Sequence, residues 1–491
     1  MKILIENGNV CSLDLPLKFA QKLYAEFAIR HPNAFYLRTR QRGMQNWDGK
    51  IHYVNKHGEF KIGLLPAVYE KCIEYGIKPK VVDMRQPLPK VNEVVTKIGE
   101  YKLRPEQEKA VKAVINNKVG KVPFQIGVLD YTVNAGKTLI MSSLYLSYKK
   151  QLKTLLITND SDWLNQARDE FKKYLPGEQI TFVQGKVLNW SNFTIGMVQS
   201  ISRNMRFYQN ELAKVDMVLV DEADQAGSKQ YQNVLTRLFN TRVRIGLSGT
   251  IYMSKLAKDK VKNMNLEVFF GKVLAEFKLK DSIKKGYSTR TIVKMVPSKP
   301  WYGNWESEEI SYKEIYDDSI TFNKYAKRMV YSRLKWNLKQ GRYPALVVCK
   351  FIAHCENLCK YFKKKLGSKY NIACVHVDTP SKIRQQIMKD FREGKIDILV
   401  STTIIARGKN FPKLRYLLNA ASMDSQEKSI QFLGRLVRTD SSKKKVYLDD
   451  LHYPGPYLNR HGKHRKQYYQ KQELKVILLE KIWKNHPIHS L

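Results

Sequence analysis

The sequence predicts an α/β protein with two tandem parallel-sheet domains, flanked by a small α+β N-terminal domain and a basic C-terminal tail. Two successive series of short apolar runs alternate with amphipathic stretches, a pattern typical of buried parallel strands joined by helices. The chain has 491 residues, enough for roughly two to four domains with cores of their own. We therefore expect domains at residues 1–95, 96–275, 276–452 and 453–491.

The predicted strands of the two sheets are short, apolar and bounded by polar or turn residues. Those of the first series are Phe124–Leu129, Leu155–Thr158, Phe193–Val198, Met217–Val220 and Ile245–Leu247. Those of the second series are Ala345–Cys349, Ala373–Val377, Ile396–Ser401, Tyr416–Ala420 and Val446–Leu448. Amphipathic stretches such as Leu139–Lys149 are predicted helices between them.

The N-terminal region has a different pattern. Lys2–Ile5 and Lys50–Val54 are β-like, Leu65–Tyr75 is helical in pattern, and two prolines within residues 82–90 favour an extended linker. Between the two sheet series, Pro297–Trp336 is aromatic and charged, which suggests a linker that continues into a helix. The tail from Tyr453 onward is basic and aromatic.

The charge balance indicates a polyanionic partner. Lysine and arginine total 86 against 45 acidic residues, which gives a formal charge of +41 and a pI near 9.8. Such an excess favours nucleic acid, because each neutralised phosphate releases condensed counterions; solubility or an anionic membrane surface is the alternative explanation. No apolar run approaches the ~20 residues that span a bilayer, and residues 1–34 lack a signal-peptide layout. We expect no membrane association.

The six cysteines are sparse and contain no Cys-x-x-Cys pair. Cys355 and Cys359 are one helical turn apart, but no second ligand pair with zinc-like spacing accompanies them. We expect buried, reduced thiols, no structural metal and no disulfides.

A candidate phosphate-binding loop follows the first predicted strand of the first series. It reads Asn134-Ala-Gly-Lys-Thr138 and leads into an apolar helix. Backbone N–H groups at Asn134, Ala135 and Gly136 would face the phosphates, Lys137 would reach the β/γ oxygens, and the Thr138 hydroxyl would ligate Mg²⁺. The loop is imperfect, because Tyr131 stands where the first glycine is usual.

A second candidate site is Val218-Leu-Val-Asp-Glu-Ala-Asp224. Its apolar residues predict a buried strand that places Asp221 and Glu222 at its carboxyl end, where α/β sheets bind ligands. Asp221 is the candidate magnesium ligand, and Glu222 the candidate that orients or deprotonates the attacking water. A solvated strand end is the alternative.

A third candidate is Gln431-x-x-Gly434-Arg435-x-x-Arg438. Helical spacing places Gln431, Arg435 and Arg438 on one face. The planar guanidinium suits phosphate oxygens, and such arginines stabilise charge that develops during phosphoryl transfer. A basic solvent-facing helix would not explain the apolar residues between them.

Together these segments resemble the motifs of superfamily-two helicases over roughly residues 100–450. Leu103-Arg-Pro-Glu-Gln107 is similar to the family's adenine-reading motif, which implies roles for Arg104 and Gln107. Gly246-Leu-Ser-Gly-Thr250 resembles the family's coupling motif. This implies that Ser248 and Thr250 couple nucleotide hydrolysis to strand binding. Val375-His-Val-Asp378 and Ser401-Thr-Thr-Ile-Ile-Ala-Arg-Gly408 match second-domain motifs, and Gly408 is an implied nucleotide contact. Asn410 departs from the pattern where an acidic residue often follows.

The resemblance also implies residues that contact a nucleic-acid strand. In the motor region they are Thr158, Gln166, Gln199, Ser200, Lys350, Thr402 and Thr403. Outside it, Asn46-Trp-Asp-Gly-Lys50 and the basic tail at residues 457–468 resemble the flanks of UvsW-type phage recombination helicases, in which the flanks contact DNA. This implies DNA contacts by Trp47 and Lys50. A core aromatic and a solvated basic helix are the respective alternatives.

The resemblance implies two RecA-like motor domains, ATP and Mg²⁺ as cofactors, and single-stranded, forked or junction DNA as partner. The expected function is an ATP-dependent DNA helicase or translocase that unwinds or branch-migrates DNA in replication, recombination or repair. It would act as a monomer, with or without other replication or recombination proteins, in the cytoplasm (the host's, if phage-encoded). An RNA-remodelling ATPase, a restriction-type motor and a non-catalytic nucleic-acid-binding protein are the alternatives.

Overall fold

A computed structural model of the chain describes residues 1–14, 16–40, 43–159, 161–187, 189–249, 251, 257–298, 311–406, 411–424, 429, 432–434, 436–437 and 443–479. The side chains at 161–163, 165–166, 257–259, 405–406 and 456 lie outside this description. The chain divides into two compact units, Met1–Phe277 and Lys278–Leu491. Each unit contains one seven-stranded, wholly parallel sheet. The predicted fold class of two RecA-like domains is confirmed.

The N-terminal part of the first unit is a small α+β arrangement around a four-stranded sheet of order β5-β2-β1-β6. Its elements are β1 (Lys2–Ile5), β2 (Val10–Asp14), α1 (Leu17–Glu26), β3 (Ala28–Arg30), α2 (Ala34–Arg40), β4 (Lys50–His52), β5 (Phe60–Lys61), α3 (Leu65–Glu74) and β6 (Lys80–Asp83).

The parallel sheet of the first unit has the order β13-β14-β12-β15-β16-β11-β17. It is preceded by β7 (Lys97–Ile98), β8 (Tyr101–Lys102), α4 (Pro105–Ile115), β9 (Lys118–Val119) and β10 (Val122–Pro123). The sheet and its helices are β11 (Ile126–Tyr131), α5 (Lys137–Ser147), β12 (Thr154–Thr158), α6 (Ser161–Tyr174), β13 (Ile180–Val183), β14 (Phe193–Met197), α7 (Val198–Arg203), α8 (Met205–Ala213), β15 (Met217–Asp221), α9 (Lys229–Leu235), β16 (Val243–Ser248), α10 (Ala257–Phe270) and β17 (Val273–Phe277).

The second unit repeats the plan with the strand order β20-β21-β19-β22-β23-β18-β24. Its elements are α11 (Leu279–Lys284), β18 (Arg290–Pro297), α12 (Tyr312–Tyr316), α13 (Lys324–Lys339), β19 (Ala345–Cys349), α14 (Ile352–Leu366), β20 (Ile372–Val375), α15 (Ser381–Glu393), β21 (Ile398–Thr402), β22 (Tyr416–Asn419), β23 (Lys445–His452), α16 (Pro456–Lys471) and β24 (Lys475–Leu478). None of the described helices is long and apolar enough to cross a bilayer.

The N-terminal segment is packed tightly onto the first parallel sheet. A single hydrophobic core joins residues such as Ile3 and Leu65 to Phe270 of the sheet layer. The fully buried Arg244 of β16 donates hydrogen bonds to Gly8 O at 2.7 Å and to Asn9 Oδ1 at 2.8 Å. The segment is therefore part of the same compact unit as the sheet, and the predicted four-way division of the chain stays a prediction.

The described part of the C-terminal tail, up to residue 479, belongs to the second unit: α16 packs on the second sheet, and β24 extends that sheet beside β18. Arg465 of α16 is fully buried and pairs with Asp450 of β23 at 2.8 Å. The predicted DNA-contacting character of the tail is thus wrong for Arg465, whose charge is neutralised inside the protein. Lys463 of the same helix is exposed.

Candidate nucleotide and nucleic-acid sites

The candidate residues of the first unit gather at one edge of the sheet. Strands β11, β12, β14, β15 and β16 are parallel neighbours, so their carboxyl ends lie at the same edge. Thr158 ends β12, and the segments that follow the other strands contain the phosphate-binding loop, Gln199, Glu222 and Gly249. Residues separated by about 120 positions in the sequence are therefore neighbours in the fold.

The phosphate-binding loop has a backbone that few residues adopt. Asn134 and Gly136 have φ values of 63° and 71°, in the left-handed region, where asparagine and glycine are the most tolerant residues. A Cβ at Gly136 would also clash with the side-chain amide of Gln107, so glycine is strongly favoured there. Helix α5 begins at the next residue, Lys137, and directs its free N–H groups toward the loop.

The loop is held from behind by the first turn of α4. Gln107 is buried, donates from Nε2 to Ala135 O at 2.8 Å, and accepts from Arg104 N at Oε1, also at 2.8 Å. An Arg104 guanidinium nitrogen lies 3.4 Å from Asn134 O. Arg104 and Gln107 thus position the loop backbone, and their predicted contact with adenine stays a prediction.

Tyr131 occupies the position where the phosphate-loop pattern usually has glycine. It is the last residue of β11, is fully buried, and donates from its hydroxyl to Glu106 O at 2.6 Å. Packing explains why the sequence departs from the pattern here. Tyr131 still belongs to β11, and its hydroxyl joins that strand to α4.

Lys137 and Asp221 form an ion pair, with Lys137 Nζ 3.2 Å from Asp221 Oδ1. Asp221 is only 3% exposed, so this carboxylate oxygen is buried beside the ammonium group. Burial acts to lower the pKa of Lys137, but the charges of Asp221 and Glu222 outweigh it and raise the pKa. The ammonium is therefore a permanent cation at the mouth of the loop.

The same residues fit a magnesium ion. Mg²⁺ prefers oxygen ligands and is usually held by one or two carboxylates together with substrate phosphates and water. Asp221 supplies a buried carboxylate oxygen, and Thr138, on the first turn of α5, supplies a hydroxyl. Among the described residues no three His, Cys, Asp or Glu side chains are arranged to hold a metal, so such an ion would depend on the nucleotide for further ligands.

Beyond Asp221 the chain turns sharply. Glu222 has a φ of 52°, in the left-handed region, and Asp224 follows in a short 3₁₀ turn. The Ser248 hydroxyl at the end of β16 donates to Asp224 Oδ1 at 2.7 Å. Burial raises the pKa of Asp224, while the hydrogen bond from Ser248 acts to lower it. Ser248 of the predicted coupling motif is thereby bonded to the acidic segment, whereas its predicted partner Thr250 lies outside the described residues.

A chain of amide contacts continues from the acidic segment to the predicted strand-contact residues. The Asn159 side-chain amide donates to Gln225 Oε1, and Gln199 Nε2 donates to Asn159 O at 3.2 Å. Gln199 Oε1 is buried and has no hydrogen-bond partner among the described residues. The sequence patterns singled out neither Asn159 nor Gln225 as a site residue. Asn159 directly follows Thr158, and Gln225 directly follows Asp224. Their positions beside these residues are the sequence signal that could have identified them.

Two other predicted strand-contact residues of the first unit, Thr158 and Ser200, are sequence neighbours of Asn159 and Gln199. Thr158 is the buried last residue of β12, and Ser200 is half-buried on α7. The side chain of Gln166 lies outside the described residues.

Three predicted contacts of the second unit lie at the carboxyl edge of its sheet. Lys350 follows β19, and its Nζ lies 3.7 Å from the centre of the Tyr312 ring. Thr402 ends β21, and Thr403 begins a 3₁₀ turn. Gly408, Gln431, Arg435 and Arg438 lie outside the described residues, and their roles stay predictions. The apolar positions between Gln431, Arg435 and Arg438 are buried, as the sequence pattern predicts: Phe432, Leu433, Leu436 and Val437.

The N-terminal candidates divide into an internal and an external residue. Trp47 is half-buried, donates from Nε1 to Lys50 O at 2.9 Å, and meets the edge of the His31 ring. Lys50 is exposed. Trp47 shapes the turn that presents Lys50, and on the same segment Phe35 is 79% exposed, an aromatic that sequence reasoning missed.

Comparisons with known proteins agree with this architecture. The family model "Type III restriction enzyme, res subunit" matches residues 100–253, and "Helicase conserved C-terminal domain" matches residues 326–440. ATP-dependent DNA helicase uvsW of Enterobacteria phage T4 is 22% identical over 83% of this chain and 82% of its own length. Putative ATP-dependent helicase IRC3 of Saccharomyces cerevisiae is 23% identical over 71% of this chain. The match covers 51% of the length of that protein.

Among solved structures, S. cerevisiae Dbp5 bound to RNA and ADP BeF3 superposes with a TM-score of 0.52 and 15% identity, covering 78% of this chain and 91% of that one. At this identity the likeness shows the fold alone. The motifs, the two family matches and the relatives together identify the chain as a superfamily-two helicase that resembles the UvsW-type enzymes of phages.

Proposed function

We propose that the chain is an ATP-dependent DNA helicase or translocase that unwinds or branch-migrates forked and junction DNA in replication, recombination or repair. The observation that carries this proposal is the run of contacts along the first sheet's carboxyl edge. It leads from Lys137 and Asp221, along the turn of residues 222–225, to Gln225, and from there through Asn159 to Gln199. A nucleotide site and candidate strand-contact residues therefore share one short polar network.

The residues of the nucleotide site have separate roles in the proposed reaction. The loop amides and Lys137 bind the phosphates, and Glu222 accepts a proton from the attacking water or orients it. Thr138 and Asp221 would hold magnesium, which neutralises phosphate charge when it is bound. Gln431, Arg435 and Arg438 remain our candidates for stabilising the charge that develops in the transition state.

Coupling follows from the hydrogen bonds of the acidic segment. A change in the position of Asp221 or Glu222 between nucleotide states moves Asp224 and Gln225 with it, because they belong to the same tight turn. Asp224 is bonded to Ser248, and Gln225 to Asn159. Such a turn is a physical link by which hydrolysis alters the grip on a strand.

DNA is favoured over RNA by the named activity of the T4 relative, which the chain matches over most of its length. The N-terminal segment adds a surface suited to nucleic acid. That segment exposes Phe35 and Tyr36 (79% and 54%) beside the exposed cations Arg38 and Lys50. Exposed aromatics interleaved with cations are typical of surfaces that contact nucleic acid. We propose that this surface engages the arm of a fork or junction.

The test is steady-state ATP hydrolysis without nucleic acid, with single-stranded DNA and with single-stranded RNA of the same sequence. The proposal expects stimulation, and stronger stimulation by DNA. Stimulation by RNA alone would favour an RNA-remodelling ATPase. Absence of hydrolysis under all three conditions would make the chain a nucleic-acid-binding protein with an inactive motor.

Point substitutions test the N-terminal segment better than its deletion, since deletion would expose the core that it shares with the sheet. Phe35→Ala combined with Arg38→Ala should slow unwinding of forks and junctions several-fold and leave single-strand-stimulated ATPase unchanged. Equal unwinding by the variant and the wild-type protein would remove the N-terminal segment from substrate selection.

A further inference from the structure

Helix α13 has an unusual charge composition. Its 16 residues, Lys324–Lys339, include six lysines and arginines and no acidic residue. Of these cations only Arg333 is buried against a carboxylate, that of Asp449 at 2.7 Å. Lys324, Lys327 and Lys335 form no ion pair with the residues that the structure describes, and their spacing places them on one face of the helix.

Two tyrosines lie within this face. Tyr331 of α13 packs edge-on against Tyr361 of α14, with ring centres 5.5 Å apart. Lys327 Nζ lies 5.3 Å from the centre of the Tyr361 ring, and Lys335 Nζ lies 5.8 Å from that of Tyr331. These cation–π contacts hold the two half-buried lysines along the helix surface, where a ring, and not a carboxylate, faces each ammonium group.

The adjoining helix continues the positive surface. On α14, Lys360 and Lys364 are exposed, one turn apart and next to Tyr361. The helix has a single acidic residue, Glu356, which lies 3.3 Å from His376. Three successive lysines, 363–365, end the helix, where the helix dipole alone accounts for cations. The inference therefore rests on α13 and not on that cluster.

An ordinary solvated helix face does not explain α13. Like charges at i, i+4, such as Lys324 with Arg328 and Lys335 with Lys339, destabilise a helix unless opposite charge lies near. Some exposed lysines of the second unit have such partners: Lys280 with Glu473, Lys313 with Asp317, and Lys395 with Glu393. The unneutralised stripe on α13 lacks a partner of this kind within the described chain.

We propose that the α13–α14 face, formed by Lys324, Lys327, Tyr331, Lys335, Tyr361 and Lys364, binds the phosphodiester backbone of a nucleic-acid duplex. The proposal rests on the proposed function in one respect, that the substrate is a nucleic acid. The face extends the second unit's contacts beyond the carboxyl edge of its sheet, where Lys350 and Thr402 lie. It gives the motor a grip on a duplex arm that is separate from the strand-contact motifs.

The dimensions and chemistry of the face fit a backbone. Eleven residues separate Lys324 from Lys335, about 16 Å along a helix, and a duplex presents one phosphate per about 1.7 Å of its axis. Tyr331 and Tyr361 are half-buried and packed on each other, so they are not free to stack on bases. The contact is therefore to phosphates and is independent of sequence.

The test compares two triple variants of the full-length protein that remove equal charge. The first is Lys324→Ala, Lys327→Ala and Lys335→Ala. The control is Lys280→Ala, Lys313→Ala and Lys395→Ala, which removes the three paired lysines. Binding of a blunt 30-base-pair DNA duplex, and of the matching RNA duplex, is measured across a salt series without nucleotide.

For the α13 variant we expect the slope of log K against log salt to fall by about 0.9 for each phosphate that is no longer neutralised, or about 2.7 in all. The control variant should keep the wild-type slope. A weaker slope on DNA alone, on RNA alone or on both supports the face and identifies the duplex it takes. Equal slopes in the α13 variant and wild type, or equally weakened slopes in both variants, would overturn the proposal.

Single Lys→Gln variants at the three positions, each lowering the slope by about 0.9, keep the test decisive if the triple variant unfolds. Single-strand-stimulated ATPase is measured in parallel and should match wild type in the α13 variant. If the wild-type protein shows no such ATPase, the proposed function fails. The duplex-binding experiment still decides whether the α13–α14 face binds a duplex.

Discussion

At the scale of single residues, the proposed nucleotide hydrolysis centres on Lys137 and Asp221, which form an ion pair. The pair fits a nucleotide and its magnesium ion. Lys137 could bind phosphate oxygens, and the buried Asp221 oxygen beside it could ligate the metal. The sequence predicts both residues and their roles from strand–loop–helix context. It does not predict that Gln107 supports the loop, since that contact depends on how α4 packs against β11.

Replacing Lys137 by alanine should lower ATP turnover by about 100-fold or more, because the γ-phosphate loses its cation. Affinity for single-stranded DNA should change less than about twofold, since Lys137 is expected to contact only nucleotide phosphates. Steady-state ATPase and fluorescence anisotropy measure the two effects. The exposed Lys109→Ala variant of α4 is the matched control; a Lys137→Ala protein that hydrolyses ATP normally would contradict the assignment.

Arg435 and Arg438 carry a second prediction at this scale. Substitution of either residue by alanine should lower kcat by about 10³-fold or more if it stabilises the transferring phosphate. Lysine should rescue poorly, because an ammonium lacks the planar fork of the guanidinium. Pre-steady-state hydrolysis with bound ATP separates kcat from binding. Near-normal turnover in an alanine variant would show that this arginine does not act in hydrolysis and is only part of a basic surface.

At the scale of elements, the ten strands predicted for the two sheets all form, within a few residues of the predicted bounds. The missed strands lie at sheet edges or carry lysine within them. Four strands were missed: β13, β17 and β24 are partly exposed edge strands, and β18 alternates buried residues with Lys294. A search for continuous apolar runs overlooks such strands, because only one of their faces is buried.

Helix α16 shows where composition misleads. Its basic sequence predicts a surface, but Arg465 is locked to Asp450 inside the second unit, with further hydrogen bonds to Met423 O and Leu451 O. Breaking a buried ion pair by removing one partner costs about 3–5 kcal/mol.

We therefore expect Arg465→Ala to lower the free energy of unfolding of the second unit by about 3–5 kcal/mol, as measured by urea denaturation. The neighbouring exposed Lys463→Ala variant should change it by less than about 0.5 kcal/mol. An Arg465→Ala protein within about 1 kcal/mol of wild type would show that the pair does not anchor α16.

A pH dependence follows from α14. His354 is buried, its Nδ1 lies 3.0 Å from the Tyr316 hydroxyl, and burial lowers its pKa to about 3. The folded unit keeps this histidine neutral, whereas the unfolded chain takes up a proton near pH 6.5. Its contribution to stability is therefore full above pH 6.5 and is lost as the pH falls from 6.5 toward 3.

Between pH 7 and pH 4.5 the wild-type protein should lose roughly 2–3 kcal/mol more unfolding free energy than a His354→Gln variant, since the two pKa values bracket about two pH units of that interval. Urea unfolding at both pH values measures this difference. The exposed His57→Gln variant should behave as wild type. Equal pH dependence in the His354→Gln and wild-type proteins would contradict a neutral, buried His354.

At the scale of the whole molecule, the sequence predicts two RecA-like sheets and their order but not how the flanks are built in. The N-terminal segment shares the core of the first unit, and α16 with β24 completes the second. These arrangements depend on long-range contacts such as that of Arg244 with Asn9, 235 residues apart. Local patterning does not encode such a pairing, because a buried arginine and a surface arginine have the same sequence signature.

The central claim is that ATP hydrolysis by this chain drives separation of DNA strands. Strand displacement on matched DNA forks, four-way DNA junctions and RNA duplexes tests it most directly, with Glu222→Gln as the protein that binds ATP but turns it over slowly. We predict ATP-dependent separation of forks and junctions by the wild-type protein, little displacement of the RNA duplex, and none of these reactions with Glu222→Gln. Preferential displacement of the RNA duplex, or ATP hydrolysis without separation of any DNA substrate, would contradict this claim.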